Sequence, residues 1–256
     1  MNTSFVVPAA ATLRQAIVDY AFVNGEGLKP KIIRPRTAAV LTIRLKGNAS
    51  VGNRLLPSAS VGGVHELPFT LVPSEGDVDF VRVQFTPGGL RYFSPVAAIT
   101  LRQRSVSAAF TFPPETVSAL VNEIRSTPDV ERRVSALDRF FTSLYSPLSP
   151  RDMMILELAG RLAHGTETEF ARILDNAPVG LRQIERLFSQ LIGFSPRKFT
   201  QVSRFERAEQ EILSNTPVSL SDVALRTGYY DQAHFNRDFK RFVSMPPGSY
   251  SFCAPG

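Results

Sequence analysis

Hydrophobic and polar positions recur at two different periods along this chain, and the change falls near residue 112. From about Lys31 to Phe112 the period is two: in VDFVRVQF, Val81, Val83 and Phe85 alternate with Arg82 and Gln84, and TAAVLTIRLKG has the same strand-forming character. Turn signals punctuate the runs at Lys46-Gly47-Asn48, Pro73-Ser74-Glu75-Gly76-Asp77 and Pro87-Gly88-Gly89. Short strands broken in this way predict a compact β-sandwich or barrel. Beyond Pro113-Pro114 the period becomes helical. Val117, Leu120, Val121 and Ile124 share one face of PETVSALVNEIRS, and Val130, Val134, Leu137, Phe141 and Leu144 share one face of DVERRVSALDRFFTSLY. These helices, within residues 114–145, are expected to pack on the sheet or to pair with a second subunit.

Ser146-Pro147-Leu148-Ser149-Pro150 interrupts the pattern, and the domain boundary is placed there, with residues 1–146 on one side and 150–256 on the other. The second domain reads as helix throughout, with helices expected over residues 151–163, 167–176 and 180–192. Ser195-Pro196 opens a long helix, serine as N-cap and proline in the first helical position, which runs to about Ser214 before Asn215-Thr216-Pro217 stops it. Ser219 with Asp222 resembles a capping box and opens a helix ending at Gly228. A last helix is expected from roughly Asp231 to Val243.

Within this domain one pattern occurs twice. IERLFSQLIGFSPRKF begins at Ile184, and FNRDFKRFVSMPPGSY begins 51 positions later at Phe235. Ile184, Arg186, Phe188, Ile192, Pro196 and Phe199 fall on Phe235, Arg237, Phe239, Val243, Pro247 and Tyr250, so apolar positions meet apolar ones and the polar match is an arginine. A repeat this short marks one supersecondary unit used twice. On a helical wheel Ile184, Phe188 and Leu191 oppose Arg182, Arg186 and Ser189. In the second copy Phe235, Phe239 and Phe242 oppose Ala233, Arg237, Lys240 and Arg241, flanked by His234 and Asn236. Any surface helix carries charge on its outer face, so neither copy alone indicates a partner. The repetition adds geometry: a spacer helix of about 19 residues spans roughly 28 Å, close to the ~34 Å between successive major-groove faces of B-DNA. A basic, amide-bearing helix after a short helix and a tight turn has the form of a helix-turn-helix reader. Arginine matches guanine through its fork, and glutamine can pair bidentately with adenine.

Charge supports a polyanionic partner only weakly. The net charge is +6, but residues 176–256 carry 10 basic against 7 acidic side chains, and the larger excess, 12 against 6, lies in residues 1–112. No stretch is long and apolar enough for a membrane span, and the apolar start from Phe5 to Leu13 has no basic segment before it, so a cytoplasmic, nucleoid-associated protein is expected. The lone cysteine, Cys253, excludes an intrachain disulfide and a cysteine-based zinc site.

The run RFERAEQEILSNTPVSLSDVALRTGYYDQAHFNRDFKRFVSMPPGSY resembles the C-terminal signature of the AraC/XylS family of bacterial transcription regulators, and GLRQIERLFSQLIGFSPRKF resembles that family's first recognition helix and following turn. Together they cover about 100 residues. The resemblance implies that Arg182, Glu185 and Arg186 face bases from the first helix and that Gln232, Ala233, His234 and Arg237 do so from the second, with Asn236 beside them. Two positions depart from the pattern: Gly180 stands where a capping serine is common, and Ser244 replaces the usual glycine before the final proline turn, which implies strain if φ there is positive. Glu185 next to Arg186 either orients that arginine or repels phosphate. FTPGGLRYF resembles a Phe-x-Pro-Gly-Gly motif in the sensory domains of one subgroup, implying a cupin-like β-domain followed by helices; Pro-Gly-Gly also suits a tight turn between strands of any β protein.

The fold class is therefore expected to be α+β: a β-rich cupin-like domain with trailing helices, then an all-α domain of two helix-turn-helix motifs joined by a long linker helix. Catalytic signals are sparse. His65 is the one histidine of the β region, His164 lies near the boundary and His234 on the second recognition helix, and no HxH, HExxH, GxSxG or phosphate-loop pattern occurs. No catalytic residue, metal or cofactor is expected. The function expected is a sequence-specific regulator that binds double-stranded DNA. A small-molecule effector, self-association as a homodimer and contact with RNA polymerase are its further expected partners. Two other classes stay open: a cupin-like enzyme acting on a small molecule with a helical accessory domain, and a DNA-binding protein without an effector.

Overall fold

The computed structural model describes residues 3–26, 29–74, 76–214 and 219–253. Strand structure begins earlier than the alternation after Lys31 predicted, because β1 (Thr3–Pro8) and β2 (Ile17–Glu26) form an antiparallel pair. The period-two signal is diluted there: Tyr20 and Phe22 are buried, but the intervening Ala21 and Val23 are apolar too. Eight further strands follow: β3 (Lys31–Ile33), β4 (Val40–Lys46), β5 (Ala49–Val51), β6 (Arg54–Leu55), β7 (Ala59–Gly62), β8 (Phe69–Pro73), β9 (Asp77–Phe85) and β10 (Ser105–Ser107). They make an antiparallel six-stranded sheet in the order β1-β2-β9-β4-β7-β10 and a four-stranded sheet in the order β3-β8-β5-β6. This is the two-sheet, cupin-like domain that the turn spacing and the resemblance pointed to.

Register decides which face of the larger sheet is core. Val83 opposes Tyr20 and Leu41, and Val81 opposes Phe22 and Ile43, so these side chains share one face. That face is covered by α1 (Pro114–Ser126) and α2 (Val130–Leu144), whose Val117, Leu120, Ile124, Leu137 and Phe141 join one buried cluster with it. Each such side chain contributes ~1.5–3 kcal/mol by leaving water. Of the two alternatives for these helices, the apolar faces therefore pack on their own sheet. Asp138 of α2 fixes the contact by accepting hydrogen bonds from the Tyr20 hydroxyl at 2.8 Å and the Ala10 amide at 3.1 Å. The opposite face carries Asp19, Thr42, Arg44, Arg82 and Gln84, and Lys31 of the smaller sheet lies within electrostatic reach of Arg82.

The second domain is helical from α3 (Pro150–His164) through α4 (Glu167–Asp175), α5 (Leu181–Leu191), α6 (Pro196–Leu213), α7 (Leu220–Arg226) and α8 (Gln232–Val243) to α9 (Pro247–Cys253). The stop at Asn215-Thr216-Pro217 lies outside the described residues. One correction concerns the end: α8 is followed by α9, which begins at Pro247 as α6 begins at Pro196, so the repeat extends one helix further than the hydrophobic pattern suggested. A second buried cluster, centred on Phe188, Phe199, Phe205, Phe235, Phe239 and Phe242, holds these helices together.

The two domains meet along several contacts. Arg91 pairs with Asp152 of α3 at 3.3 Å, and Glu66 pairs with Lys198 of α6 at 3.3 Å. The amide and hydroxyl of Thr37 donate to the two carboxylate oxygens of Glu206 at 3.1 and 2.6 Å, and Arg34 pairs with Glu209 at 3.0 Å. The Pro87-Gly88-Gly89 turn leads from β9 into a 3-10 turn, Gly89–Tyr92, rather than into another strand. Gly88 has φ 74°, and a Cβ there would lie 2.3 Å from Leu156 of α3, so the glycine permits both the turn and the domain contact.

Candidate nucleic-acid interface

Helix α4 and helix α5 make one helix-turn-helix unit, and α7 and α8 make the other, with α6 between them. Local chemistry fixes each start and stop. Thr166 donates its amide and hydroxyl to Glu169 at 2.9 and 3.0 Å, closing a capping box at α4 and holding the Glu169 carboxyl below the ordinary carboxylate range. Ser195 caps α6 and Ser219 caps α7, each accepting a backbone amide three residues on at 3.3 and 3.1 Å. Asp231, not anticipated as a cap, accepts the His234 amide at 2.6 Å and starts α8. Gly228, at φ 86°, ends α7, and Arg207 of α6 donates to the Thr227 carbonyl at 2.9 Å. Beneath the turn, the buried Arg204 guanidinium lies 5.1 Å from the centroid of the buried Tyr229 ring, whose phenol is pushed up by desolvation.

The inward residues are those the wheel selected. Ile184, Phe188 and Leu191 are buried in α5, and Phe235, Phe239 and Phe242 in α8. Six of the eight residues expected at the DNA interface are exposed: Arg182, Glu185 and Arg186 on α5, and Gln232, Ala233 and Arg237 on α8. Arg186 leans toward Gln190 at 3.4 Å, and Gln232 accepts from Ser221 at 3.4 Å, so both long side chains are partly held along their helices. His234 and Asn236 sit lower. The His234 ring packs edge-on against Tyr229 at 5.3 Å and its Nε2 lies 3.7 Å from Asp238, while the Asn236 side-chain oxygen is buried with no hydrogen-bond partner among the described residues. Gly180 is the N-cap of α5 and, having no side chain, supplies no capping hydrogen bond. Ser244 is in the left-handed conformation at φ 63°, as the departure from glycine implied.

The outward surface also holds residues that the sequence pattern did not single out. Tyr230, 86% exposed, stands at the entrance to α8 beside Gln232. Leu181 is exposed at the first position of α5. Both stand at the start of an exposed helix face, and their place at the helix entrances was the available signal.

Two helix-turn-helix units on one spacer helix, each with an exposed polar face on its second helix, define a DNA-binding domain. Residues 173–251 match the helix-turn-helix domain family. The transcriptional regulator MtrA of Neisseria gonorrhoeae is 31% identical over 84 residues, 33% of this chain and 28% of that protein. The transcriptional regulator GlxA of Rhizobium meliloti is 30% identical over 122 residues, 48% of this chain and 36% of that protein. The chain thus spans about a third of the length of these two relatives. Likeness of fold extends further: ToxT of Vibrio cholerae superposes over 93% of this chain and 98% of its own, with TM-score 0.52 at 11% identity. A second ToxT structure, bound to an unsaturated fatty acid, covers 93% and 95% with TM-score 0.50 at 12% identity.

Proposed function

We propose that the protein is a sequence-specific transcription regulator in which residues 150–256 read two adjacent major-groove segments of duplex DNA and residues 1–146 serve sensing or self-association. The observation that carries this is the pair of recognition helices at the two ends of α6, each with its apolar side buried and its arginine-bearing side open. Arg182 and Arg186 suit guanine, Gln232 suits adenine, and Ala233 suits the methyl of thymine. Arg237 takes the place in α8 that Arg186 takes in α5. Glu185 orients Arg186 or accepts from cytosine. His234 and Asn236 support the α8 surface from below, His234 through Asp238. The relatives are transcription regulators, which weighs against a cupin-like enzyme. Contact with RNA polymerase and homodimer formation belong to the same proposal.

Mobility shifts with DNA from the protein's own promoter region test it. Replacing Arg186 and Arg237 together by alanine is expected to weaken binding, each arginine contributing ~1–3 kcal/mol of discrimination, and affinity should fall steeply with salt. Undiminished binding by the double variant would remove these residues from the interface.

An anionic effector is the sensing ligand we favour. Arg44 is 4% exposed, and its Nε and Nη2 have no hydrogen-bond partner among the described residues; the Nε of Arg82 is buried and without a hydrogen bond as well, although its Nη2 pairs with Asp19 at 3.7 Å. Both project from the sheet face that also carries Thr42 and Gln84, near Lys31. A buried guanidinium without a counter-ion is costly, and a carboxylate would offset that cost. The fatty acid bound by the ToxT neighbour has this chemistry. Unsaturated fatty acid should raise the melting temperature of the protein and leave an Arg44→Met variant unchanged.

A further inference from the structure

Helix α6 packs against α3 and α5 on one side and against α7, α8 and α9 on the other, so it is the hinge between the two helix-turn-helix units. Because α6 touches both units, the angle between α5 and α8 depends on what holds α6 and its neighbours in place. The β-domain braces both sides of this hinge. On the side of the first unit, Glu66 holds Lys198, Arg91 holds Asp152, and Gly193 approaches so closely that a Cβ would lie 2.8 Å from Val64 and 3.1 Å from the Ala98 carbonyl. On the side of the second unit, the loop between β3 and β4 reaches α6 and α9 together. Thr37 binds both oxygens of Glu206, and Arg34 pairs with Glu209 while its guanidinium lies 4.9 Å from the centroid of the Tyr250 ring. The Tyr250 hydroxyl completes the set by donating to Glu209 at 2.5 Å. Glu206 and Glu209 are one turn apart on α6, so a single loop grips both.

We propose that Arg34 and Thr37 are positioning residues for DNA reading: by fixing Glu206, Glu209 and Tyr250 against the β-domain, they set the angle between α5 and α8 and so the spacing at which two DNA segments are accepted. This rests on the proposal that both helices read DNA. Helix α5 rests on the Ala98–Leu101 turn of the β-domain, yet Arg182, Glu185 and Arg186 of α5 and Gln232, Ala233 and Arg237 of α8 stay exposed with the β-domain in place, so the brace and DNA are compatible. One base pair inserted between the segments shifts the second by ~3.4 Å and turns it by about 35°. A braced protein resists that displacement more than one whose two units can shift against each other.

The test uses the full-length protein and a duplex that it selects from a random library, remade with one base pair added or removed between the two protected segments. Wild type is expected to lose affinity roughly tenfold at either altered spacing, and an Arg34→Met, Thr37→Val variant to bind all three duplexes within about threefold of one another. Thr37→Val alone, which removes a hydroxyl at constant shape, repeats the measurement should the double variant fail to fold, with a smaller flattening expected. A variant that is weaker by the same factor on every duplex, or unchanged, overturns the inference and leaves DNA reading intact. A wild-type protein that selects no sequence overturns the DNA-reading proposal itself.

Discussion

The ring of Phe239 meets the ring of Tyr250 edge-on, with centroids 5.1 Å apart and planes at 75°, and Phe188 and Phe199 meet in nearly the same way, at 5.3 Å and 70°, 51 residues earlier. The sequence repeat is thus a repeat of packing. Helices α5 and α8 each rest on an aromatic residue from the helix after it, which ties the exposed face to the turn that follows. Phe239→Ala is expected to cost ~3–5 kcal/mol in denaturant unfolding because it leaves a cavity in this fully buried site. Tyr250→Phe should cost only ~1–2 kcal/mol, the loss of its hydrogen bond to Glu209. Equal costs for the two would mean that the ring contact contributes little.

Ser244 holds a left-handed backbone at φ 63° where a side chain adds strain of ~1–2 kcal/mol. Ser244→Gly should therefore raise the unfolding free energy by about 1 kcal/mol, the gain being trimmed by the greater freedom of glycine in the unfolded chain. Thermal melts of the two proteins side by side would show it, and a lower melting temperature for the glycine variant would contradict the strain assignment.

His65 gives the fold a pH dependence of known sign. Burial pushes its imidazole down from 6.5 to about 4, against a weaker upward pull from Gln103. The unfolded chain binds the proton more tightly, so the contribution of neutral His65 is complete above pH 6.5 and is lost as pH falls toward 4, on the order of 3 kcal/mol at most. The stability difference between wild type and His65→Gln, followed from pH 7 to pH 4, should shrink in favour of the variant. A difference constant across that range would show that the ring titrates normally.

Glu206 acts in the opposite direction. Burial raises its pKa above the ordinary 4.5, with Thr37 and Arg36 pulling against that shift. The folded protein therefore keeps this proton longer than the unfolded chain, and the associated stability, full below pH 4.5, declines as pH rises through the raised value. Glu206→Gln removes this slope. Its stability relative to wild type should grow as pH increases above 4.5, and calorimetric melts at several pH values would reveal a flat difference if the carboxyl were already ionised.

The helical domain was legible in the sequence because its determinants are local. Ile184, Phe188, Phe235 and Phe239 recur at helical spacing, and Ser195 and Ser219 cap the helices they precede. The exposure of Arg182, Arg186, Ala233 and Arg237 followed from the same wheel, whereas His234 is drawn inward by Asp238 and the Tyr229 ring. Residues whose roles depend on distant partners carried no such signal. Glu206 meets Thr37 across 169 positions, and nothing in the periodicity of α6 distinguishes it from a solvated glutamate. Arg82 alternates with Val81 and Val83 as a solvent position would, yet Lys31 of the second sheet lies within its electrostatic reach. Short β3, β5 and β6 held that second sheet below the resolution of a pattern search.

Gly193 and Ser244 occupy the same position in the two copies, but the first is pressed against Val64 and Ala98 while the second faces solvent. The copies are consequently not interchangeable parts. A chimera carrying the second copy's turn in the first slot would place a side chain in the seam between the domains and push them apart. The turn after α5 is therefore the part of the repeat in which the glycine is required by its neighbours.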